Sequence, residues 1–229
     1  MAGQPAPAPP RASPALAPAH KTKTTLAAEA LRESLAAGQL SPGQRIDVRR
    51  MAADLGMSIT PVREALRLLQ ADGLVSYDEH RRISAAALSP EDADEVYVLR
   101  AMLEGMATER AAARRLPDDL SRIDRAQSDL ESALAAGDPI RAHQANRAWH
   151  FAIYRAAGTR YTLAFITRLW SLYEWHAIWG LPGRLDQSVA EHRVIGDAIA
   201  LGEPGRAGAL LRRHIETSRQ AIETLRSQP

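Results

Sequence analysis

Two short amphipathic segments separated by a single glycine lie within residues 48–73, and they constrain the fold more than any other part of the chain. The first segment is predicted to end at Gly56, because a residue without a Cβ atom can adopt the left-handed conformation that terminates a helix. Pro61 lies at the start of the second segment, where its missing N–H costs nothing. Apolar residues recur along one face of that segment, at Val62, Ala65, Leu66 and Leu69. The pattern predicts a helix-turn-helix, a motif whose second helix enters the major groove of DNA.

The outer face of the predicted second helix carries polar and basic side chains. They are Thr60, Arg63, Glu64 and Arg67. One interpretation is a solvated surface on which Glu64 balances the two arginines. In the second helix of a helix-turn-helix, however, contact between the arginines and DNA phosphates or bases is the favoured interpretation.

The segment SITPVREALRLLQADGLV, residues 58–75, resembles the DNA-binding domain of the GntR family of bacterial transcription regulators. That family typically reads S-R-T-P-V-R-E-A-L-x-x-L-x-x-x-G-L-V here. The chain departs at Ile59, where relatives usually have an Arg that contacts DNA, and this changes the expected operator sequence rather than DNA binding itself. The resemblance places Arg49, Thr60 and Arg63 at positions that contact DNA in relatives. The complete set of predicted DNA-binding residues is Arg49, Arg50, Ser58, Thr60, Arg63, Arg67, Arg81 and Arg82, of which Arg50, Arg81 and Arg82 are phosphate contacts or plain solvated side chains.

The composition excludes several classes of protein. The chain has 229 residues and no cysteine, so disulfides and thiolate metal ligands are excluded. No apolar run approaches the roughly 20 residues that a membrane helix needs. Residues 1–20 are rich in Pro and Ala, and we interpret them as a disordered tail rather than a signal peptide. These features predict a cytoplasmic protein with no membrane partner. The net charge is only +2, with the basic excess in residues 1–88.

The predicted fold class is mostly α, with an N-terminal winged helix-turn-helix over residues 21–88 and an all-helical antiparallel bundle over residues 89–229. A first helix is expected from about Thr24 to Ala37. Its inward residues would be Leu26, Ala30, Leu31 and Leu35. Strands at Leu74–Tyr77 and Arg82–Ala86, joined by a tip at residues 78–81, would form the wing.

Ser89, Pro90 and Asp92 supply strong helix-start chemistry for the bundle, with Ser at the N-cap, Pro at the first helical position and an acid at the third. Short connections, four of them marked by glycine, favour antiparallel neighbours. The six predicted helices are Pro90–Arg115, Pro117–Ala136, Pro139–Ala157, Arg160–Trp179, Asp186–Leu201 and Pro204–Ser227.

Four stretches of the bundle are similar to the FCD effector domain of FadR-type GntR regulators: LSPEDADEVYVLRAMLEG, NRAWHFAIYRAAG, AEHRVIGDAI and LLRRHIETS. The resemblance to the family runs from about Thr24 to Ile222. It implies a ligand-responsive transcription regulator, commonly a repressor, that senses a small organic acid. It also implies a homodimer, joined mainly through the helical domain, that presents two recognition helices to a palindromic double-stranded DNA operator.

Three predicted helices each direct a histidine toward the core. His150 lies on one stripe of its helix with Asn146 and with Ile153, which belongs to the apolar end of the stripe. His192 and His214 align with apolar residues of their own helices. An unsatisfied polar group in a core costs about 1–3 kcal/mol, so buried imidazoles need partners. One metal ion could satisfy all three. The alternative is that each histidine hydrogen-bonds a carbonyl or carboxylate in the core.

The resemblance favours the metal, because FCD domains usually bind a divalent ion through an Asp and three His. Here His150, His192 and His214 match the histidines, while Asn146 stands at the Asp position and would be a weak fourth ligand, since a carboxamide brings no negative charge. The expected ion is Zn, Ni or Mn, and its open positions suit a small carboxylate.

The residues predicted to bind the effector are Arg100, Asn146, Trp149 and Tyr173. Relatives place a pocket-facing Arg at the position of Arg100, which could hold a carboxylate with two hydrogen bonds. The alternative for Arg100 is a surface ion pair with Glu104 at i+4. Core packing is the alternative for the aromatic residues.

Two other functions need different features. A metal-dependent hydrolase with a DNA-tethering module could use three histidines, but the chain has no H-E-x-x-H motif. Glu191 should point about 100° away from His192 on an ideal helix. A DNA-binding architectural protein would not need so large a helical domain with inward polar residues. The chain is therefore not expected to be an enzyme.

Overall fold

The computed structural model describes residues 21–36, 39–78, 82–172, 181 and 183–226. The predicted tail, the wing tip with Arg81, and Tyr173 with the rest of the predicted helix up to Trp179 lie outside the described residues. The amino-terminal part consists of three helices and a hairpin. They are α1 (Lys23–Ala36), α2 (Val48–Asp54), α3 (Ile59–Ala71), β1 (Val75–Tyr77) and β2 (Ile83–Ala85).

The helix-turn-helix forms where the sequence predicts it, with local chemistry at both ends of α2. The Asp47 carboxylate accepts hydrogen bonds from the backbone N–H groups of Arg49 and Arg50 at 2.9 and 3.1 Å, which caps the helix. Gly56 has a φ of +61° and follows the end of α2. The inner face of α3 is fully buried at Val62, Ala65, Leu66 and Leu69.

The hairpin pairs β1 and β2 in antiparallel register, with Val75 opposite Ala85 and Tyr77 opposite Ile83. The segment before α2 lies along β2, where the Ile46 N–H donates to the Ile83 carbonyl at 2.8 Å and the Ala85 N–H donates to the Gln44 carbonyl. The base of the wing is therefore fixed to the helix-turn-helix by backbone hydrogen bonds.

The prediction that Leu26 lies on the inner face of α1 is wrong, because Leu26 is 41% exposed. The buried residues are Ala27, Ala28, Leu31 and Leu35, which lie on the face that packs against α3. The buried stripe is therefore rotated from the predicted one, because the face of α1 that packs on α3 carries Ala27 and Ala28 rather than Leu26.

The carboxyl-terminal part is an all-helical domain, as predicted, and the mostly α fold class is confirmed. Ser89 caps its first helix through a 3.0 Å hydrogen bond from the Asp92 N–H, and Asp138 caps the third. Among the described residues no helix combines the length and the apolar character needed to cross a bilayer. The helices are α4 (Pro90–Arg114), α5 (Pro117–Ala135), α6 (Pro139–Ala156), α7 (Arg160–Ser171), α8 (Arg184–Leu201) and α9 (Pro204–Arg226).

The helical domain is arranged around a core that contains large aromatic side chains as well as aliphatic ones. Helix α4 packs along α9, and α5 packs along α6. Trp149, Tyr154 and Trp170 are buried in the core beside Ile195 and Leu211. The amino-terminal part has its own hydrophobic core, and Leu172, just after α7, packs against it.

Candidate functional sites

The outer side of α3 presents the predicted DNA-contact side chains to solvent. Thr60, Arg63 and Arg67 are exposed, and Ser58 precedes the helix on the same exposed surface. Within the described part of the chain, no ion pair joins Glu64 to either arginine, and the Glu64 carboxylate accepts a 3.0 Å hydrogen bond from the Thr24 hydroxyl. Glu64 therefore connects α3 to α1 through Thr24.

The remaining predicted DNA contacts lie at the start of α2 and on the wing. Arg49 and Arg50 are exposed, and the 3.8 Å pair between Arg50 and Asp54 is too solvated to hold the guanidinium firmly. Arg82 is different, since its Nε–H donates to the Asp78 carboxylate at 2.5 Å. Its guanidinium is therefore already engaged across the base of the wing.

Helices α6, α8 and α9 bring His150, His192 and His214 together in the interior of the helical domain. One nitrogen of each imidazole can be chosen so that all three lie within 4.8 Å of one another. All three residues are buried. Asn146 is also buried, one helical turn before His150. The convergence of three imidazoles from three helices in an apolar core is the arrangement expected of a ligand site.

His192 lacks hydrogen-bond partners at both ring nitrogens, and it is completely buried. Its ring stacks on Trp149 with centroids 3.7 Å apart and planes 6° apart. Stacking places the ring but satisfies neither nitrogen, and an unsatisfied buried donor or acceptor costs about 1–3 kcal/mol. The alternative of three separately hydrogen-bonded core histidines is therefore wrong for His192.

His150 is held through Tyr154 and Glu104. The Tyr154 hydroxyl donates to Oε2 of Glu104, and His150 Nδ1 lies 3.0 Å from the Tyr154 oxygen. The single hydroxyl proton of Tyr154 is used in the hydrogen bond to Glu104. The Nδ1–H group of His150 must therefore be the donor to the Tyr154 oxygen. The Nε2 lone pair of His150 is thereby left for another partner.

His214 is held by a second carboxylate, Glu191. Its Nδ1 lies 2.6 Å from Oε2 of Glu191, which also accepts from the Arg184 guanidinium at 3.2 Å. Arg184 further donates to the Ser218 hydroxyl at 2.7 Å. The sequence-based geometry directed Glu191 away from His192 but did not predict that Glu191 reaches a histidine on another helix. Glu191 accepts a hydrogen bond from Nδ1 of His214 and so orients that imidazole. Its carboxylate is engaged there and is not placed as a general base.

Burial keeps all three imidazoles neutral. It lowers the pKa of His150 and of His192 well below the ordinary value, and the neighbouring His214 and Arg184 act in the same direction. Burial also lowers the pKa of His214 although Glu191 opposes the shift. Neutral imidazoles are the form that coordinates metals.

The carboxylates around the centre are already balanced by arginines. Glu104 accepts from the Arg100 Nε–H at 2.8 Å, and Glu191 is paired with Arg184. Burial would raise the pKa of Glu191, but the hydrogen bond from His214 and the Arg184 charge lower it overall. Three nitrogens of neutral imidazoles, one of them without any other partner, are a donor set that fits Zn²⁺, Ni²⁺ or another divalent ion.

The ion pair between Arg100 and Glu104 exists, but it lies in the core and not on the surface, with side-chain exposures of 4% and 0%. The alternative of a surface pair is therefore wrong in its location, because α4 turns this face toward α6 and α7. Of the predicted aromatic effector residues, Trp149 stacks on His192, and Tyr173 lies outside the described residues.

Four residues of the centre were not predicted as site residues: Glu104, Tyr154, Arg184 and Glu191. Two of them carried a local signal, since Tyr154 lies four residues after His150 and Glu104 four residues after Arg100, although the latter pair was considered only as a surface ion pair. The contacts of Glu104 with Tyr154, of Arg184 with Ser218 and of Glu191 with His214 join helices far apart in the chain.

A groove of about 490 Å³ lies between α5 and α8 and leads toward the histidines. Leu120, Ile123 and Gly196 line its sides, and Trp149 and His192 lie at its base. The groove is therefore one route by which a small molecule could approach His192.

The architecture is that of a DNA-binding protein whose winged helix-turn-helix is followed by a helical domain with a buried polar centre. Residues 23–84 match the family of bacterial regulatory proteins called the gntR family, and residues 95–217 match the FCD domain. The chain belongs to the GntR family of transcription regulators and carries an FCD domain.

Individual relatives agree. The HTH-type transcriptional regulator McbR of Escherichia coli K12 is 31% identical over 151 residues, which cover 66% of this chain and 68% of McbR. The probable D-xylose utilization operon transcriptional repressor of Paenarthrobacter nicotinovorans is 30% identical over 202 residues, 85% of this chain and 87% of that protein. The solved structure of E. coli McbR/YncC has a TM-score of 0.83 at 24% identity, covering 91% of this chain and 100% of that chain, and so has the same fold.

These families and relatives are transcription regulators, so the chain is a DNA-binding regulator and not an enzyme. They give no support to the hydrolase alternative. The predicted membership of the GntR family with an FCD domain is confirmed.

Proposed function

We propose that the chain is a cytoplasmic repressor of the FadR type that senses a small organic acid through a divalent metal ion held by His150, His192 and His214. The observation that carries the proposal is the pair of unsatisfied nitrogens on buried His192, next to two imidazoles whose orientations are fixed. A metal ion would take up the lone pair of one of these nitrogens and would give the three helices a common ligand.

The charge of the centre supports an anionic effector. Glu104 and Glu191 are each already paired with an arginine, and Asn146 brings no charge, so a dication would keep its full charge in the core. A carboxylate from the effector supplies the missing negative charge. The groove between α5 and α8 would admit the effector, with Trp149 contacting its apolar part.

DNA binding would use α3 and the start of α2. Arg63 and Arg67 are exposed side by side on α3, with Thr60 one turn before Arg63 and Arg49 on the preceding helix. We propose residues 21–88 as the DNA-binding domain, with Arg50, Ser58, Arg81 and Arg82 as supporting contacts, and residues 89–229 as the effector-binding and dimerisation domain.

A homodimer would be joined through the exposed face of α4. Val98, Met102 and Met106 repeat every four residues there and are 57%, 62% and 41% exposed. Glu95 lies at one end of this apolar stripe and Arg110 at the other, both exposed. In an antiparallel two-fold pair centred near Met102, Glu95 would face Arg110 of the second copy, which makes the surface complementary to itself.

Two experiments test the regulator. Selection from random duplex DNA should enrich an inverted repeat for the wild-type protein and not for Arg63→Ala, and a lack of enrichment would contradict operator binding. A thermal-shift screen of organic acids with Zn²⁺, Ni²⁺ or Mn²⁺ should find acids that raise the Tm of wild type but not of His192→Leu. If no acid and no metal shifts the Tm, the sensing part of the proposal fails.

Sedimentation tests the dimer surface. Met102→Glu should convert a wild-type dimer to monomer, because it buries a charge at the centre of the stripe. Exposed Arg125→Ala on α5 is the matched control and should leave the dimer intact. A dimer that survives Met102→Glu would contradict the assignment of α4.

A further inference from the structure

Glu104 contacts three different parts of the helical domain at once. Its Oε1 accepts from the Arg100 Nε–H at 2.8 Å and from the Trp170 Nε1–H at 2.9 Å, and its Oε2 accepts from the Tyr154 hydroxyl. The carboxylate is completely buried. All of its partners are donors, so its negative charge decides the direction of every hydrogen bond around it.

The first consequence concerns His150. The Tyr154 hydroxyl donates its single proton to Oε2 of Glu104, and the same oxygen lies 3.0 Å from His150 Nδ1. Its only proton points to Glu104, and its oxygen can therefore only accept from His150 Nδ1–H. The imidazole must therefore be the Nδ1–H tautomer, which leaves the Nε2 lone pair for another partner.

The second consequence concerns α7, which carries Trp170. Two residues before Trp170, the Arg168 guanidinium donates to the backbone carbonyl of Asp72 at 2.8 and 3.0 Å. Asp72 caps the carboxyl end of α3, and its carboxylate is also paired with Arg32 of α1 at 2.6 Å. Leu172 packs on the core of the DNA-binding part. Helix α7 therefore contacts Glu104 on one side and the end of the recognition helix on the other.

We propose that Glu104 is the positioning residue that joins the two sites: through Tyr154 it fixes the metal-binding tautomer of His150, and through Trp170 it holds α7 against the end of α3. This inference rests on the proposed histidine centre, but both of its arms exist in metal-free protein. Each arm can therefore be tested without a metal or an effector.

The first arm is tested by replacing Glu104 with its neutral analogue. In Glu104→Gln, the side-chain oxygen keeps the two donors Arg100 and Trp170, and the amide NH₂ then faces Tyr154. Tyr154 must accept from it and donate its own proton to His150 Nδ1, which forces the Nε2–H tautomer. Long-range ¹H–¹⁵N NMR of the imidazoles in metal-free protein should show this reversal at His150.

His214 is an internal control, because Glu191 and not Glu104 holds it, and its tautomer should stay unchanged. Zn²⁺ affinity should fall about 10- to 100-fold, as for other changes behind a metal ligand. If Glu104→Gln does not fold, Tyr154→Phe replaces it, and the single tautomer of His150 should become a mixture. An unchanged His150 tautomer in the folded variant would overturn the first arm. Normal tautomers with no Zn²⁺ binding in wild type would instead contradict the proposed metal site alone.

The second arm is tested by hydrogen exchange in metal-free protein. Trp170→Phe removes the hydrogen bond to Glu104 and should raise exchange in peptides that cover the end of α3 and Asp72. Trp149→Phe is the matched control, because it also replaces a buried tryptophan with a smaller aromatic side chain, on α6 beside His192. It should not raise exchange at the end of α3. Arg168→Ala should reproduce the effect of Trp170→Phe. Equal exchange in all three variants and wild type would overturn the second arm.

Discussion

The recognition helix and the histidine centre use polar side chains in opposite ways. On α3, Arg63 and Arg67 are exposed and take part in no ion pair among the described residues, so their charges remain for an external partner. In the centre, Glu104 and Glu191 each accept hydrogen bonds from several donors, and neither ring nitrogen of His192 has a hydrogen-bond partner among the described residues. The first surface leaves its charges to solvent, whereas in the second most polar side chains are already engaged with one another.

The largest expected effect is the loss of metal binding when a histidine of the centre is replaced. His192→Leu should abolish metal binding, by at least about 100-fold, because it removes one of three ligands. The same change removes two unsatisfied buried nitrogens, so the metal-free protein should be as stable as wild type or more stable. Calorimetric titration with Zn²⁺ and urea denaturation measure the two quantities. A large loss of metal-free stability would show that His192 has partners and that the centre is an ordinary core.

The next effect concerns the exposed surface. Arg63→Ala and Arg67→Ala should each weaken operator binding roughly tenfold or more and reduce the dependence of the affinity on salt. Metal binding should not change, since neither side chain contacts the helical domain. Fluorescence anisotropy at several salt concentrations is the measurement, with Arg125→Ala as the control. Unchanged affinity in both variants would place the DNA contacts elsewhere.

A smaller effect appears in the pH dependence of stability. Burial lowers the pKa of His150, His192 and His214, whereas in the unfolded chain each protonates near pH 6.5. Below that pH the unfolded chain binds more protons than the folded one, so stability is present above about pH 6.5 and is lost as the pH falls. Scanning calorimetry of metal-free protein should show the Tm decreasing from about pH 7 to pH 5, and decreasing less in His192→Leu. A flat profile would mean that the imidazoles are accessible to solvent.

The smallest effects compare a glycine from each region. Gly56→Ala should destabilise the protein by about 1–2 kcal/mol, because Gly56 has a φ of +61° after α2. Gly196→Ala should stabilise it by about 0.5–1 kcal/mol, because Gly196 lies inside α8 with nothing within 4 Å of the added Cβ atom. Urea denaturation of the two variants gives the signs. Two changes of the same sign would contradict the backbone argument at one of the positions.

The comparison also explains what the sequence could predict. The helix-turn-helix depends on signals a few residues apart, such as Gly56, Pro61 and the stripe from Val62 to Leu69, and the structure has it where the sequence predicts it. The inward direction of His150, His192 and His214 was predictable for the same reason, since each shares a stripe with apolar residues of its own helix.

The rest of the centre depends on contacts between helices and was not predictable in this way. Glu104 meets Tyr154 and Trp170 across 50 and 66 residues of chain, and no periodicity within one helix records such a contact. The exposed Leu26 on α1 is a similar case, because the packing of α1 on α3, and not the size of the side chain, decides which face is buried.

Calorimetric titration of chelator-treated protein with Zn²⁺, Ni²⁺ and Mn²⁺ tests most directly whether the histidines form a sensing centre. At least one of these ions should bind with a stoichiometry of one per chain, and the heat should disappear in His192→Leu while Arg63→Ala binds normally. No saturable heat with any ion, or the same heat in His192→Leu, would contradict the account.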